Sequence, residues 1–189
     1  EPLEWNDPRI VNDCGLMLIY HLNRDFDRAR KLFEQAIAVG QPQLDALAKT
    51  IDPKKTWLQI ADEVKQDHPD AMKMIEAHQE IVDKARAHIV SHDLMTLPWK
   101  ETCTVTRRVP TTGNNPYYGS FSGATSRAPG EDGALRGEWQ INPFDPSWDE
   151  DTKRDYLVEH DWGVILVTAP HETYGGHHVQ IMYQMKNAR

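Results

Sequence analysis

The sequence predicts a mainly α protein of the α+β class, a helical bundle with a small strand-and-loop layer. Three observations carry this. Apolar residues recur at helical spacing through much of residues 1–98 and again from 151 to 189. A short alternating, β-branched run, Thr102-Cys103-Thr104-Val105-Thr106, reads as a strand. Residues 110–137 are dense in Gly, Pro, Ser, Thr and Asn and read as a long loop or irregular layer. The chain thus divides into a helical region, 1–98, a strand and loop layer, 99–150, and a second helical region, 151–189, all in one domain.

Phe26, Ala29, Phe33, Ala36 and Ile37 mark the first helix, with Gly40 placed to end it. A second helix is expected over Leu44–Thr50. A third begins near Thr56 and places Trp57, Ile60, Ala61 and Val64 on one face. The longest is expected after Pro69, capped by Asp70 and running through Met74, Ile75, His78, Val82, Ala85 and Ile89. His78 and His88 read as ordinary residues of that helix. Gly137–Asn142 suggests a second strand, which either pairs with 102–108 or forms an edge. Asp149, Glu150 and Asp151 give an acidic first turn to the next helix. Trp162–Thr168 is apolar nearly all round and is expected to be buried, and Pro170 predicts a kink or a fresh helix start.

The chain has 189 residues, enough for one sizeable core or two small ones. Its 39% hydrophobic and 26% charged content is that of a globular protein. A net charge of -8 argues against nucleic acid and against an anionic membrane surface as partners. No apolar run approaches the ~18–20 residues of a membrane span. No signal peptide opens the sequence, and a start at Glu1 instead of Met leaves room for one having been removed. Cys14 and Cys103 are too few for a disulfide framework and read as two free, buried thiols.

The chemistry concentrates in residues 170–180. Three of the nine histidines and one glutamate fall between His171 and His178, behind the apolar run Val164–Val167. Imidazoles supply neutral metal ligands, and an adjacent glutamate can serve as general base on an activated water. The spacing is unusual. Position i+4 from His171, where a zincin helix carries its second ligand, is Gly175. On an unbroken helix His177 would lie roughly 240° round from His171, and His178 about 10 Å along the axis. Ligands of one zinc need nitrogens within about 3–4 Å of each other. Gly175-Gly176 offers a kink that draws the next histidine inward. His177 is then the better second ligand, with His178 as substitute, and Glu172 the base. Pro170 would set His171 and Glu172 at the base of a buried cleft, with His160 and Asp161 as groups behind the ligands. Three clustered histidines also suit an ordinary polar patch at a helix end.

The stretch His171-Glu172-x-x-x-Gly176-His177-His178, followed by Val179 and Gln180, resembles the signature of a bacterial family, domain of unknown function 885, usually His-Glu-x-x-Pro-Gly-His-His. His92-Asp93-Leu94-Met95-Thr96-Leu97-Pro98 is similar to another of its segments. Asn115–Tyr118 and Gly137–Asn142 are similar to its approach to the motif. The likeness extends over most of residues 15–185, although only the motif and 92–98 are specific. The family is regarded as related to gluzincin metallopeptidases. The resemblance therefore implies a gluzincin-like fold, with the small layer packed near a buried motif helix, and a zinc hydrolase acting on a peptide or small amide.

Two departures stand out. Gly175 replaces the usual proline. A later Glu-Gly-Trp helix, expected to give the third ligand, does not occur before Arg189. On this reading the domain is truncated at its C-terminus, and the remainder of the same polypeptide or a second chain supplies that ligand. Family members often carry signal or lipoprotein leaders, so the resemblance leaves export open for a soluble protein whose location the sequence does not fix. Tyr117 and Tyr118, within the Gly-rich layer, would line the substrate cleft, and Arg127 or Arg136 could meet a substrate carboxylate. Imidazole and carboxylate also suit manganese, cobalt or iron. The alternatives are a non-catalytic helical scaffold with a structural His cluster, and a metal-dependent hydrolase of small amides or esters.

Overall fold

The computed structural model describes residues 7–97, 99–108, 120–122 and 130–187, with backbone alone at 120–122. It is mainly helical with a small sheet, the class expected from the periodicity. The chain forms two compact units, 1–63 and 64–189, dividing within the first helical region.

In the first unit, α1 (Pro8–Leu16) starts at Asp7, whose carboxylate accepts the Arg9 N–H at 2.9 Å, with Pro8 in the first turn. A π-helical turn, Met17–His21, follows. α2 spans Phe26–Ile51 without a break and takes in both helices expected there. Gly40 does not end it, and Pro42 lies inside it. Pro42 removes one amide donor, yet Gly40 meets Pro8 and Phe33 meets Gly15 along the α1–α2 contact. Packing therefore outweighs two local stop signals. α2 has 26 residues against 18 for α4, so the longest helix is not the one after Pro69. α3 (Trp57–Val64) opens with a reciprocal cap between Thr56 and Gln59. A groove of about 700 Å³ lies among Pro8, Phe33, Ile37, Leu44 and Trp57 and contains no residue of the histidine motif.

In the second unit, Asp70 accepts the Met72 N–H at 2.8 Å and starts a 3-10 turn, Ala71–Lys73, that leads into α4 (Met74–Ser91). α4 ends where the specific 92–98 segment begins. The Leu94 N–H reaches the Ile89 carbonyl, the Asp93 N–H reaches that of Val90, and Asp93 takes the left-handed conformation at φ 48°. This is the Schellman arrangement, with aspartate in the place glycine usually fills. Thr96 then gives its carbonyl to the Tyr183 hydroxyl of α7 (His177–Asn187).

The sheet has the order β1 (Lys100–Arg107), β3 (Ala134–Ile141), β2 (Ser120–Ser122). β3 is central, parallel to β1 and antiparallel to β2, so the Gly137–Asn142 strand does pair with the 102–108 strand. Period-two alternation turns Glu101, Cys103 and Val105 inward, opposite Leu135, Gly137 and Trp139. β1 is an edge strand, and Gln79 of α4 covers part of it. Its amide donates to the Cys103 carbonyl at 3.3 Å and accepts the Val105 N–H at 2.7 Å.

Asp149 caps α5 (Glu150–Glu159) through the Thr152 N–H. α6 (Trp162–Glu172) continues past Pro170, so no fresh helix starts there. The apolar run of α6 is buried on one side only. Ile165 and Ala169 enter the core, while Leu166 and Val167 stay exposed, Val167 at 71%. Both cysteines are free thiols; Cys103 is buried and Cys14 only half-buried.

His78 and His160 are buried 5.9 Å apart, ring to ring. His78 Nδ1 accepts the Trp139 indole N–H, and His160 Nδ1 donates to the Tyr156 carbonyl. Burial, then His160, lowers His78 from 6.5 to about 3, and burial lowers His160 as well. The unfolded chain therefore binds more protons than the fold below pH 6.5, and stability falls as the pH drops. Between pH 6.5 and 5 His78 alone should remove about 2 kcal/mol, which lowers the urea midpoint. His78→Gln should flatten that slope, and a midpoint equal at pH 7.5 and 5 would contradict the assignment.

Candidate metal centre

The α6–α7 turn assembles the motif. Asp161 caps α6 through the Val164 N–H at 3.0 Å, and the helix delivers His171 and Glu172 in its last turn. Its final carbonyls are then closed off locally. Ala169 accepts from the Thr173 N–H and, at 2.7 Å, from the Thr173 hydroxyl. Pro170 accepts the N–H groups of Thr173 and Gly175, the latter at 2.8 Å. The chain folds back so tightly that a Cβ on Gly176 would lie 1.7 Å from the His171 carbonyl oxygen. Only glycine fits there. α7 starts at the next residue, and the Gln180 N–H bonds to the Gly176 carbonyl at 2.9 Å.

This turn brings together residues that a continuous helix would separate. The rings of His171 and His177 stand 5.0 Å apart at 83°. His177 Nε2 is 4.0 Å from Glu172 Oε2. One donor atom from each of His171, Glu172 and His177 lies within 4.8 Å of the others. His177 Nδ1 also lies 3.3 Å from Gln180 Oε1, which orients its ring. His171 and His177 are exposed and Glu172 half-buried, so the cluster sits at the surface and not at the base of a buried cleft. α6 does not end at Pro170, and its final turn therefore carries the pair out to solvent.

His178 points the other way. It is 1% exposed and its Nε2 lies 3.4 Å from Glu101 Oε2. The Tyr174 hydroxyl donates to the same oxygen, and Arg86 Nε donates to Oε1 at 2.7 Å. The His178 ring lies against Gly137 of β3, where a Cβ would stand 2.4 Å from Nδ1. Burial by itself would raise the Glu101 carboxyl; hydrogen bonds from His178, Tyr174 and Arg86 outweigh it and hold the group below its ordinary value. Burial and the neighbouring Glu101 push the Tyr174 phenol up.

His160 and Asp161 do not stand behind the ligands. Asp161 is spent on the N-terminus of α6, the end opposite His171, and His160 stacks on Tyr156 at 4.1 Å. Arg136 is bonded to Asp132 in an exposed pair. Tyr117, Tyr118 and Arg127 lie outside the described residues. Glu101 and Arg86 are the residues that motif reasoning missed. The signal was a carboxylate in phase with Cys103 and Val105 on an alternating strand.

No protein-family model, curated protein or solved structure matches the chain. Among the described residues no helix is long and apolar enough to cross a membrane.

Replacing Gly176 by Ala drives a methyl into backbone, where no side chain can yield. Overpacking of this kind should cost at least about 2 kcal/mol. The urea midpoint of Gly176→Ala should fall well below that of Gly175→Ala, whose Cβ would meet the Pro170 carbonyl oxygen at 3.1 Å. Equal midpoints would mean that the turn is not packed as described.

Proposed function

We propose that His171, Glu172 and His177 form the metal centre of a zinc-dependent hydrolase, most simply a peptidase. The observation that carries this reading is the convergence of two imidazoles and a carboxylate across a turn that admits only glycine at 176. The donor set suits zinc. Ligand atoms on one tetrahedral zinc stand about 3.3 Å apart, given bonds of ~2.0–2.1 Å. Exposed side chains can close to that spacing by small rotations. The residues that would hold the ion are His171 and His177, and zinc, when bound, supplies a Lewis acid that polarises a carbonyl and makes water easier to deprotonate.

The chain's own contribution is proton handling and orientation. Glu172 follows His171 directly, and its carboxylate lies beside His177. It takes a proton from the attacking water and returns it to the leaving amine. Gln180 restrains the His177 ring. The motif likeness to domain of unknown function 885 supports peptide or amide as the substrate class.

A second reading rests on the position of Glu172 within reach of the shared centre: the glutamate is itself a ligand and the cluster a structural site. Glu172→Gln separates the two. As a base, its loss should leave zinc affinity within about threefold and reduce peptide or ester turnover by roughly 10²–10⁴. A large loss of zinc makes Glu172 a ligand, and retained turnover removes it as the base. His177→Ala should abolish stoichiometric zinc measured by elemental mass spectrometry. Full zinc in that variant would overturn the assignment.

A further inference from the structure

The turn that sets His177 against His171 is bracketed by two buried side chains, Tyr174 before the glycine pair and His178 after it. Both end on one atom. Tyr174 donates its hydroxyl to Glu101 Oε2, and His178 Nε2 lies 3.4 Å from the same oxygen. The other oxygen of Glu101 is held by Arg86 of α4 at 2.7 Å. The Glu101 side chain is wholly buried, and Tyr174 and His178 are each 1% exposed. The two rings meet edge to face at 5.4 Å and 87°. His178 has no slack towards the sheet either, because its ring occupies the space a side chain at Gly137 would need.

A buried ion pair is poor evidence for stability, since apolar residues of similar volume often serve the fold as well or better. What this carboxylate does that an apolar residue cannot is fix two directional contacts at once. Those contacts sit at the two ends of the segment whose length decides whether His177 reaches His171. His177 is joined directly to His178, so the contacts that hold the His178 ring in the core also restrain the backbone that carries His177. Groups behind metal ligands act in this way, and their loss weakens metal binding without removing a ligand.

We propose that Glu101 is the positioning residue of the centre: through Tyr174 and His178 it fixes the span between His171 and His177, and so sets the affinity and coordination geometry for a divalent ion. The inference rests on the reading of His171, Glu172 and His177 as a metal site. It assigns to His178 a role in support of the ligands in place of a role as ligand, and it extends the centre to a strand more than seventy residues upstream.

The test uses the whole chain with Zn²⁺ and Co²⁺ as probes. Zinc affinity is measured by competition with a chromophoric chelator, and the visible absorption of bound Co²⁺ reports coordination geometry. Tyr174→Phe deletes one hydroxyl and leaves the ring packing in place. Glu101→Gln keeps the shape and removes the charge. Both should bind zinc about 10–100-fold more weakly than the unmodified chain. Their Co²⁺ bands should lose intensity as the site opens, while circular dichroism of the metal-free proteins shows unchanged helix content. Affinity and spectrum equal to those of the unmodified chain in Tyr174→Phe would overturn the inference while leaving the metal site standing. If Glu101→Gln does not fold, Tyr174→Phe decides alone. Absence of zinc and cobalt binding by the unmodified chain would overturn the metal reading, and this inference with it.

Discussion

The second unit is organised around the carboxylate of Glu101. Its inward direction is a consequence of strand periodicity, since it shares a face with Cys103 and Val105. Once turned inward, a charge of this kind costs several kcal/mol in effective desolvation unless donors surround it. Three do: Arg86 from α4, Tyr174 from the α6–α7 turn and His178 from α7. One residue of the sheet thereby ties a helix that precedes it to a turn and a helix that come more than seventy residues later. Arg86 also lies 6.0 Å from the centre of the Tyr174 ring, so guanidinium, carboxylate and phenol form one packed group. The arrangement is directional, and this distinguishes it from the apolar contacts around it. Ile165 and Met182 fill volume; the Glu101 group specifies where the turn must lie.

The turn itself shows the same economy. A helix ending in Pro170-His171-Glu172 has carbonyls to satisfy, and here the residues that satisfy them are the ones that reverse the chain. Thr173 closes on Ala169 with both backbone and side chain, and Gly175 closes on Pro170. Gly176 can then approach the His171 carbonyl more closely than any residue with a side chain. A proline at 175, the usual residue in the motif that this stretch resembles, has no N–H to give Pro170. The local bonding seen here therefore belongs to the glycine form of the motif.

The parts of the fold that could be read from the chain are those governed by local rules. The Thr56 start of α3, the Asp70 and Asp149 starts and the two strands all follow from capping chemistry and period-two alternation. Misreadings arose where tertiary contact overrode a local rule. Gly40 and Pro42 are stop signals by propensity, yet α2 passes through both because α1 packs along it. Trp162–Thr168 is apolar throughout, yet only one face of α6 meets the core, and composition carries no information about which neighbours exist. At the site, the glycine pair and the geometric impossibility of a continuous helix already pointed to His177. Which way His178 would turn depended on Glu101, and no local pattern connects residues 101 and 178.

The exposure of the cluster bears on how it would work. The exposed His171 and His177 side chains would have rotamer freedom to lose on converging on an ion, and that loss opposes binding. A buried site limits it by packing the ligands themselves. Here the packing is applied close by in the chain: Tyr174 and His178 are buried in the core, and the proposed ligands, His171 three residues before Tyr174 and His177 directly before His178, would inherit a fixed backbone. Preorganisation of this kind lowers the entropy of binding that remains to be lost without burying the ligand atoms. His171 and His177 are exposed, and in the proposed centre that open side is where a water and a substrate carbonyl would enter. A fixed backbone beneath exposed side chains would meet both demands on the proposed centre, retention of the ion and access to it. The tight turn at Gly176 and the buried carboxylate at Glu101 are the two features of this chain that supply the rigidity.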